Sequence, residues 1–233
     1  RADEALEAGR AALDRDPDNK EAHRILGLVY SARAGTRGDA GREDADRAVD
    51  HLERARDALT PDPGLYLSLG RLYVATGETA KAIDLLNELL EAEPQFADAH
   101  VLLAQAYEAQ GAWDEAAAAY ERAVTWSPQR ARYRRQLANA LLNAGEPTRA
   151  LEVVRELVRV RSDDTSGWYL LSELALQLNN FDEAGAAARR VIALEPDGLR
   201  GAYMLSRVLG AQGEYQAMVD ALEPAVRGAL ERN

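Results

Sequence analysis

A small residue directly after a leucine recurs along the chain at Gly27, Gly70, Ala104, Ala138, Ser172 and Ser206, and the last four intervals are each 34 residues. The first interval is 43, which is 34 plus a nine-residue insertion. Twelve residues after these positions comes a second small side chain, at Ala82, Ala116, Ala150 and Ala184, with Ala48 after the insertion. Seven further stands an apolar position: Ala55, Leu89, Ala123, Leu157, Val191 and Ala225. Units close on a helix stop, Pro17, Pro94, Pro128 and Pro196, with Thr60 and Ser162 as variants. Each turns once in the middle, at Gly77, Gly111, Gly145, Asn179 or Gly213. A fixed period of this length marks an array of repeated supersecondary units.

The spacing predicts, in each unit, a helix of about 14 residues, a tight turn and a second helix of similar length. Gly and Asn at the turn tolerate the left-handed backbone that ends a helix. Small residues let two helices approach closely. Neither helix can bury its apolar face alone, so neighbouring units must stack. The expected fold is all-α, with six helix–turn–helix repeats over 20–62, 63–96, 97–130, 131–164, 165–198 and 199–232, and a half repeat over 2–17, in a single solenoid domain 1–233. The half repeat reads as the second helix of a preceding unit, and so suggests further repeats upstream. Gly35 to Arg42 holds three glycines and is expected to be a loop insertion between two helices.

These residues resemble the tetratricopeptide repeat family. In 97–130, Leu103, Ala104, Tyr107, Gly111, Ala116, Tyr120, Ala123 and Pro128 all sit where that family's pattern places them. Residues 63–96 match nearly as well, through Tyr66, Leu69, Gly70, Tyr73, Gly77, Ala82 and Pro94. The resemblance covers essentially the whole chain. It departs at Ala175 and Leu209, which replace a Tyr, at Met218, which replaces the small Ala, and at Pro224, which is expected to kink or end the last helix. It implies a right-handed α–α superhelix whose concave groove receives peptides.

In that family the groove is lined by the second, fifth, ninth and twelfth residues of each first helix, a spacing that keeps them on one face. Here the stripe reads Arg24 and Leu28; Leu67, Arg71 and Val74; Val101, Gln105 and Glu108; Arg135, Asn139 and Leu142; Tyr169, Glu173 and Leu176; and Arg200, Tyr203 and Arg207. Arg can hold a carboxylate in a fork, Asn can pair with a backbone amide, and Tyr offers rigid apolar area with a polar tip. One branch of the family clamps a C-terminal carboxylate. Arg135, Asn139 and Arg200 match parts of that clamp, whereas Leu170 and Met204 stand where an Asn and a basic residue would be. The resemblance therefore implies a protein or peptide partner, with an acidic or C-terminal segment near Arg135 and Arg200. From Gln129 to Ser162 there are eight Arg against three Glu, to be read either as a dock for an anionic partner or as a solvated face with pairs such as Glu152–Arg155 and Glu156–Arg159.

Composition removes other classes. The formal net charge is −11, which argues against nucleic-acid binding, since phosphate neutralisation needs clustered Lys and Arg. There is no Cys, so disulfides, thiolate metal sites and a Cys nucleophile are excluded. No apolar run reaches the roughly 18 residues of a membrane span. The compartment is left open between cytoplasm and periplasm, as is a targeting segment before Arg1; the Ala- and Arg-rich composition suits a bacterial source. His23 and His100 occupy the fourth position of their units, read as a packing slot shared with Tyr66, Arg134 and Trp168, and His51 has no metal-ligand spacing. Trp113, Phe181 and Trp126 read as packing residues. No phosphate loop, nucleophile elbow or zinc motif is present. The expectation is a binding scaffold with no cofactor and no catalysis; the alternatives are a structural solenoid that self-associates through its ends, or an accessory region of a longer enzyme.

Overall fold

The computed structural model describes residues 2–35, 39–57 and 59–231, and among them are thirteen α-helices and no strand. A single helix, α1 (Ala2–Leu13), packs on α2 (Lys20–Ala34), which pairs with α3 (Asp39–Ala55). The pairs α4 (Pro63–Thr76) with α5 (Thr79–Ala92) and α6 (Ala97–Gln110) with α7 (Trp113–Trp126) follow. Then come α8 (Ala131–Asn143) with α9 (Pro147–Val160), α10 (Thr165–Gln177) with α11 (Phe181–Leu194), and α12 (Leu199–Ala211) with α13 (Tyr215–Glu231). The helices fall into two compact units, an N-terminal one of residues 1–127 and a C-terminal one of residues 128–233.

Local chemistry sets the helix ends. Asn19, Asp62 and Asp164 are extended N-caps whose side chains accept from the amides of Ala22, Leu65 and Gly167 at 2.9, 2.9 and 3.0 Å. Pro63 and Pro147 open α4 and α9, where a missing N–H costs nothing. The turn inside five of the pairs is made by a residue with positive φ: Gly77 (83°), Gly111 (73°), Gly145 (79°), Gly213 (81°) and Asn179 (59°). These are the same residues that punctuate the sequence.

The two columns of small residues are the contact between the paired helices. Ala48, Ala82, Ala116, Ala150 and Ala184 are completely buried. Opposite them, a Cβ added at Gly27 would lie 2.6 Å from Leu52 Cγ, so α2 and α3 touch as closely as a glycine allows. Ser172 solves the same problem with a hydroxyl, which donates to the Ala184 carbonyl at 2.8 Å inside the core. Leu65, Leu69, Leu85, Leu86, Leu89, Leu141, Leu157 and Leu174 fill the remaining interior.

Two expectations change. Asp39 to Arg42 form the first turn of α3 rather than a loop, with Gly41 buried. Much of the insertion thus lengthens a helix pair, giving α3 17 residues against 14 in α5; residues 36–38 lie outside the described residues. Pro224 does not end α13, which is helical from Tyr215 to Glu231. The proline removes one N–H, which the rest of the helix tolerates.

The first and last helices leave apolar faces open. Ala5, Ala8 and Ala12 hold the register positions of the buried Ala116, Ala119 and Ala123, yet none of them is fully buried. With Gly9, Ala22 and Ile25 they line a cavity of about 240 Å³. On α13, Tyr215, Val219, Val226 and Leu230 are exposed at helical spacing.

Candidate functional site

The stripe residues lie on first helices. In the N-terminal unit α2 packs on α4 and α4 on α6. Leu67 and Val101 are buried there, Arg24, Leu28, Val74, Gln105 and Glu108 are half-buried, and Arg71 is exposed. In the C-terminal unit Arg135, Leu142, Tyr169, Glu173 and Leu176 are half-buried, while Asn139, Arg200, Tyr203 and Arg207 are exposed. Leu67 and Val101 therefore act chiefly as packing residues.

The cations of the stripe are not equivalent. Arg24 makes a fork to Glu21 at 2.7 and 2.8 Å and lies 3.8 Å from Asp62. This pairing holds the Glu21 carboxyl below its usual range. Arg135 is bound to Asp164 at 2.5 Å. The two arrangements repeat each other: a fifth-position Arg reaches the Asp that caps the next first helix, 29 residues on for Arg135 and 38 on for Arg24, whose unit carries the nine-residue insertion. Arg207 sits 3.5 Å from Glu173 and over the Tyr203 ring at 5.8 Å. Arg200 lies over the Tyr169 ring at 4.6 Å, a cation–π contact. Arg71 makes no ion pair or hydrogen bond among the described residues and lines a cavity between α2 and α4.

Two of the clamp residues are engaged within the chain, Arg135 by Asp164 and Arg200 by the Tyr169 ring. Arg135 already holds a carboxylate of its own chain, and Met204 is buried. The Arg-rich run from 129 to 162 is largely paired too. Arg149 binds Glu146 at 2.5 Å, Arg159 binds Glu156 at 2.7 Å and Arg161 binds Asp163 at 3.3 Å. Arg155 turns away from Glu152 to fork onto Glu183 of α11 at 2.7 and 2.8 Å.

The fourth position proves to be a hydrogen-bonding slot as well as a packing one. His23 and His100 each bring Nε2 to a carbonyl six residues back, Pro17 at 3.0 Å and Pro94 at 2.8 Å. Trp168 Nε1 donates to Ser162 at 3.0 Å and Arg134 donates to Pro128. Side chains of three kinds thus satisfy an orphan carbonyl near the end of the preceding helix. The signal was in the sequence: His, Tyr, His, Arg and Trp share only a polar hydrogen on a long reach. Tyr66 reaches instead to Glu88 and to the Asp57 carbonyl, and burial together with Glu88 pushes its hydroxyl up to about 12.

His23 also meets His51, Nδ1 to Nδ1 at 2.8 Å. A carbonyl only accepts, so His23 carries its proton on Nε2 and His51 donates to His23 Nδ1. Burial, and then the His23 ring, lower the His51 pKa, and burial lowers that of His100. Both bind protons less readily folded than unfolded, so their contribution is complete above the unfolded value near 6.5 and declines as pH falls below it. Thermal melts of the chain are expected to show a midpoint that drops from pH 7 toward pH 5, above the carboxylate range. His51→Gln with His100→Gln is expected to flatten that slope; an unchanged slope contradicts the assignment.

Among the described residues no cluster of three His, Cys, Asp or Glu side chains could hold a metal ion. No helix among them is long and apolar enough to cross a membrane. Trp126 is exposed and, with Leu90, Pro94, His100, Arg122 and Thr125, borders a cavity of about 370 Å³ in the N-terminal unit.

The sequence is similar to lipopolysaccharide assembly protein B of Escherichia coli strain K12, 27% identical over 195 residues, covering 78% of this chain and 49% of that protein. It is also similar to DnaJ homolog subfamily C member 3 of Rattus norvegicus, 26% identical over 207 residues, covering 84% of this chain and 40% of that one. The chain spans half or less of the length of these curated relatives. In fold it is similar to MamA (TM-score 0.64, 17% identity, 72% of this chain and 92% of that one). It is likewise similar to YrrB, described as a TPR protein with an unusual peptide-binding site (TM-score 0.59, 18% identity, 79% and 91%). Sequence profiles described as tetratricopeptide repeat match residues 37–91, 67–131, 107–174 and 165–197. With the helix pairs and their register, these matches establish that the chain belongs to the tetratricopeptide repeat family.

Proposed function

We propose that the protein is a non-catalytic scaffold that recruits an extended segment of a partner protein along its first helices. The observation that carries this reading is the strip on α10 and α12, where Arg200 lies over Tyr169 at 4.6 Å and Arg207 over Tyr203 at 5.8 Å beside Glu173. Rigid aromatic faces with ordered guanidinium groups are the side chains that dominate protein interfaces. Tyr203 remains 52% exposed although it belongs to a well-packed helix, so about half of its surface is presented to solvent. The similarity to a lipopolysaccharide assembly protein and to a peptide-binding TPR protein agrees with a role in recruitment rather than catalysis.

The test uses 12-residue peptides selected by display on the full chain. Replacing Leu28→Ser, Gln105→Ala, Asn139→Ala and Tyr203→Ser together is expected to weaken their binding by at least about tenfold, the scale of losing one interface hot spot. Asn87→Ala with Glu91→Ala, exposed on the second helix α5, is expected to leave binding unchanged. Equal losses from both variants, or none from the first, contradict the reading.

A further inference from the structure

The fourth-position histidines of two helix pairs are served differently. In both, the ring bonds through Nε2 to a carbonyl six residues back, which leaves Nδ1 as an acceptor. His23 satisfies it with a second ring, since His51 of α3 donates to it at 2.8 Å. Counting past the nine-residue insertion, the place of His51 is taken on α7 by Ala119, a methyl group. His100 is only 3% exposed, and its Nδ1 is buried with no hydrogen-bond partner among the described residues. A buried acceptor left in this way is costly to keep. By their spacing Ala119, Arg122 and Trp126 share one face of α7. His100, Arg122 and Trp126, with Leu90, Pro94 and Thr125, border a cavity of about 370 Å³. None of these six residues belongs to the stripe. Trp126 is 45% exposed, and Ala92 and Val160 hold its place in the neighbouring pairs, so the aromatic wall is particular to this one.

We propose that this cavity is a docking site apart from the stripe, which takes the side chain of a tyrosine from a partner protein, its ring against Trp126 and its hydroxyl donating to His100 Nδ1. The occupant's chemistry follows from what the walls lack. Nδ1 accepts, so the occupant supplies an N–H or O–H. Arg122 only donates, so an occupant that also meets Arg122 supplies an acceptor. A hydroxyl does both. An indole N–H is a donor alone, and an imidazolium would bring a second cation beside Arg122. Leu90, Pro94 and the Trp126 ring suit the flat apolar body of a phenol better than the short alcohol of a serine. The volume falls within the range of about 300–1,000 Å³ over which proteins hold small ligands. The chain carries its own precedent, a ring that donates to the same atom in the first helix pair. Nδ1 is out of contact with solvent, so the tyrosine enters as the exposed Arg122 side chain, which lies near enough to act on the His100 charge, shifts aside. The site does not depend on the groove reading.

The probe is N-acetyl-tyrosinamide, titrated into the full chain at millimolar concentration and followed by NMR of the His100 imidazole and the Trp126 indole. N-acetyl-phenylalaninamide is the comparison. Saturable shifts at both rings are expected, with the phenylalanine probe binding about tenfold more weakly for want of the hydroxyl. Trp126→Ala, which removes an exposed ring, is expected to weaken the tyrosine probe by about tenfold. Ala119→His gives His100 the partner that His51 gives His23, and is expected to abolish binding while circular dichroism shows the helices intact. Should Ala119→His not fold, the Trp126→Ala comparison decides alone. The four-residue groove variant is expected to bind the probe as the wild type does. Equal affinity for the two probes, a tyrosine affinity unchanged by Trp126→Ala, or no shift at His100 overturns the site. A probe lost on the groove variant and kept on Trp126→Ala belongs to the stripe, which overturns this site and leaves the groove standing.

Discussion

Leu157→Ala is expected to destabilise the chain by about 3 kcal/mol, measured by urea denaturation. Leu157 is completely buried in α9 and supports the start of α10, where a Cβ added at Gly167 would lie 3.2 Å from Leu157 Cδ2. Truncation removes the contacts of three heavy atoms, Cγ, Cδ1 and Cδ2, at the joint between one helix pair and the next, and the surrounding helices can collapse only partly. Gly167→Ala alone forces its neighbours back by a few tenths of an ångström. Placed in the Leu157→Ala background, the new methyl group enters space the truncation opened. The double variant should therefore be more stable than the sum of the two single effects, by at least about 0.5 kcal/mol. Strict additivity would mean that this joint is looser than the geometry shows.

Gly201→Val is expected to be comparably damaging, by about 3 kcal/mol, for the opposite reason. A Cβ there would stand 2.6 Å from Ile192 Cγ1, 2.7 Å from Ile192 N and 3.1 Å from Ile192 Cα. A side chain can swing aside, but the backbone of α11 cannot, so α12 must move off it. Ile192→Ala removes only the side-chain clash and is expected to rescue part of the loss. Gly111→Ala is the control: nothing lies within 4 Å of it, and the penalty, about 1 kcal/mol, comes from a φ of 73° that an alanine resists. Equal costs for Gly201→Val and Gly111→Ala would contradict a close approach between helix pairs.

The fold was legible because its determinants are short in range and repeated. Gly27, Ala82 and Ala116 mark contacts, and Gly77 and Asn179 mark turns, at positions where only small or left-handed residues serve. The site was less legible because its electrostatics depend on residues a full repeat apart. Arg135 looked available until Asp164, capping α10, was seen to hold it. The same relation could have been read from Arg24 and Asp62 by counting past the insertion. His100 read only as a packing residue in the sequence, since what distinguishes it is an unpartnered Nδ1 and the cavity beside it. The glycine-rich insertion misled because composition favoured a loop, whereas tertiary packing draws Asp39–Arg42 into α3.

Partners are expected to meet the first helix of each pair. Amide NMR of the full chain, titrated with a peptide selected on it, tests this most directly. Shift changes are predicted along α2, α4, α6, α8, α10 or α12, centred on stripe residues such as Arg71, Asn139 and Tyr203. Changes centred instead on the outer faces of α5, α7, α9 and α11 would contradict it.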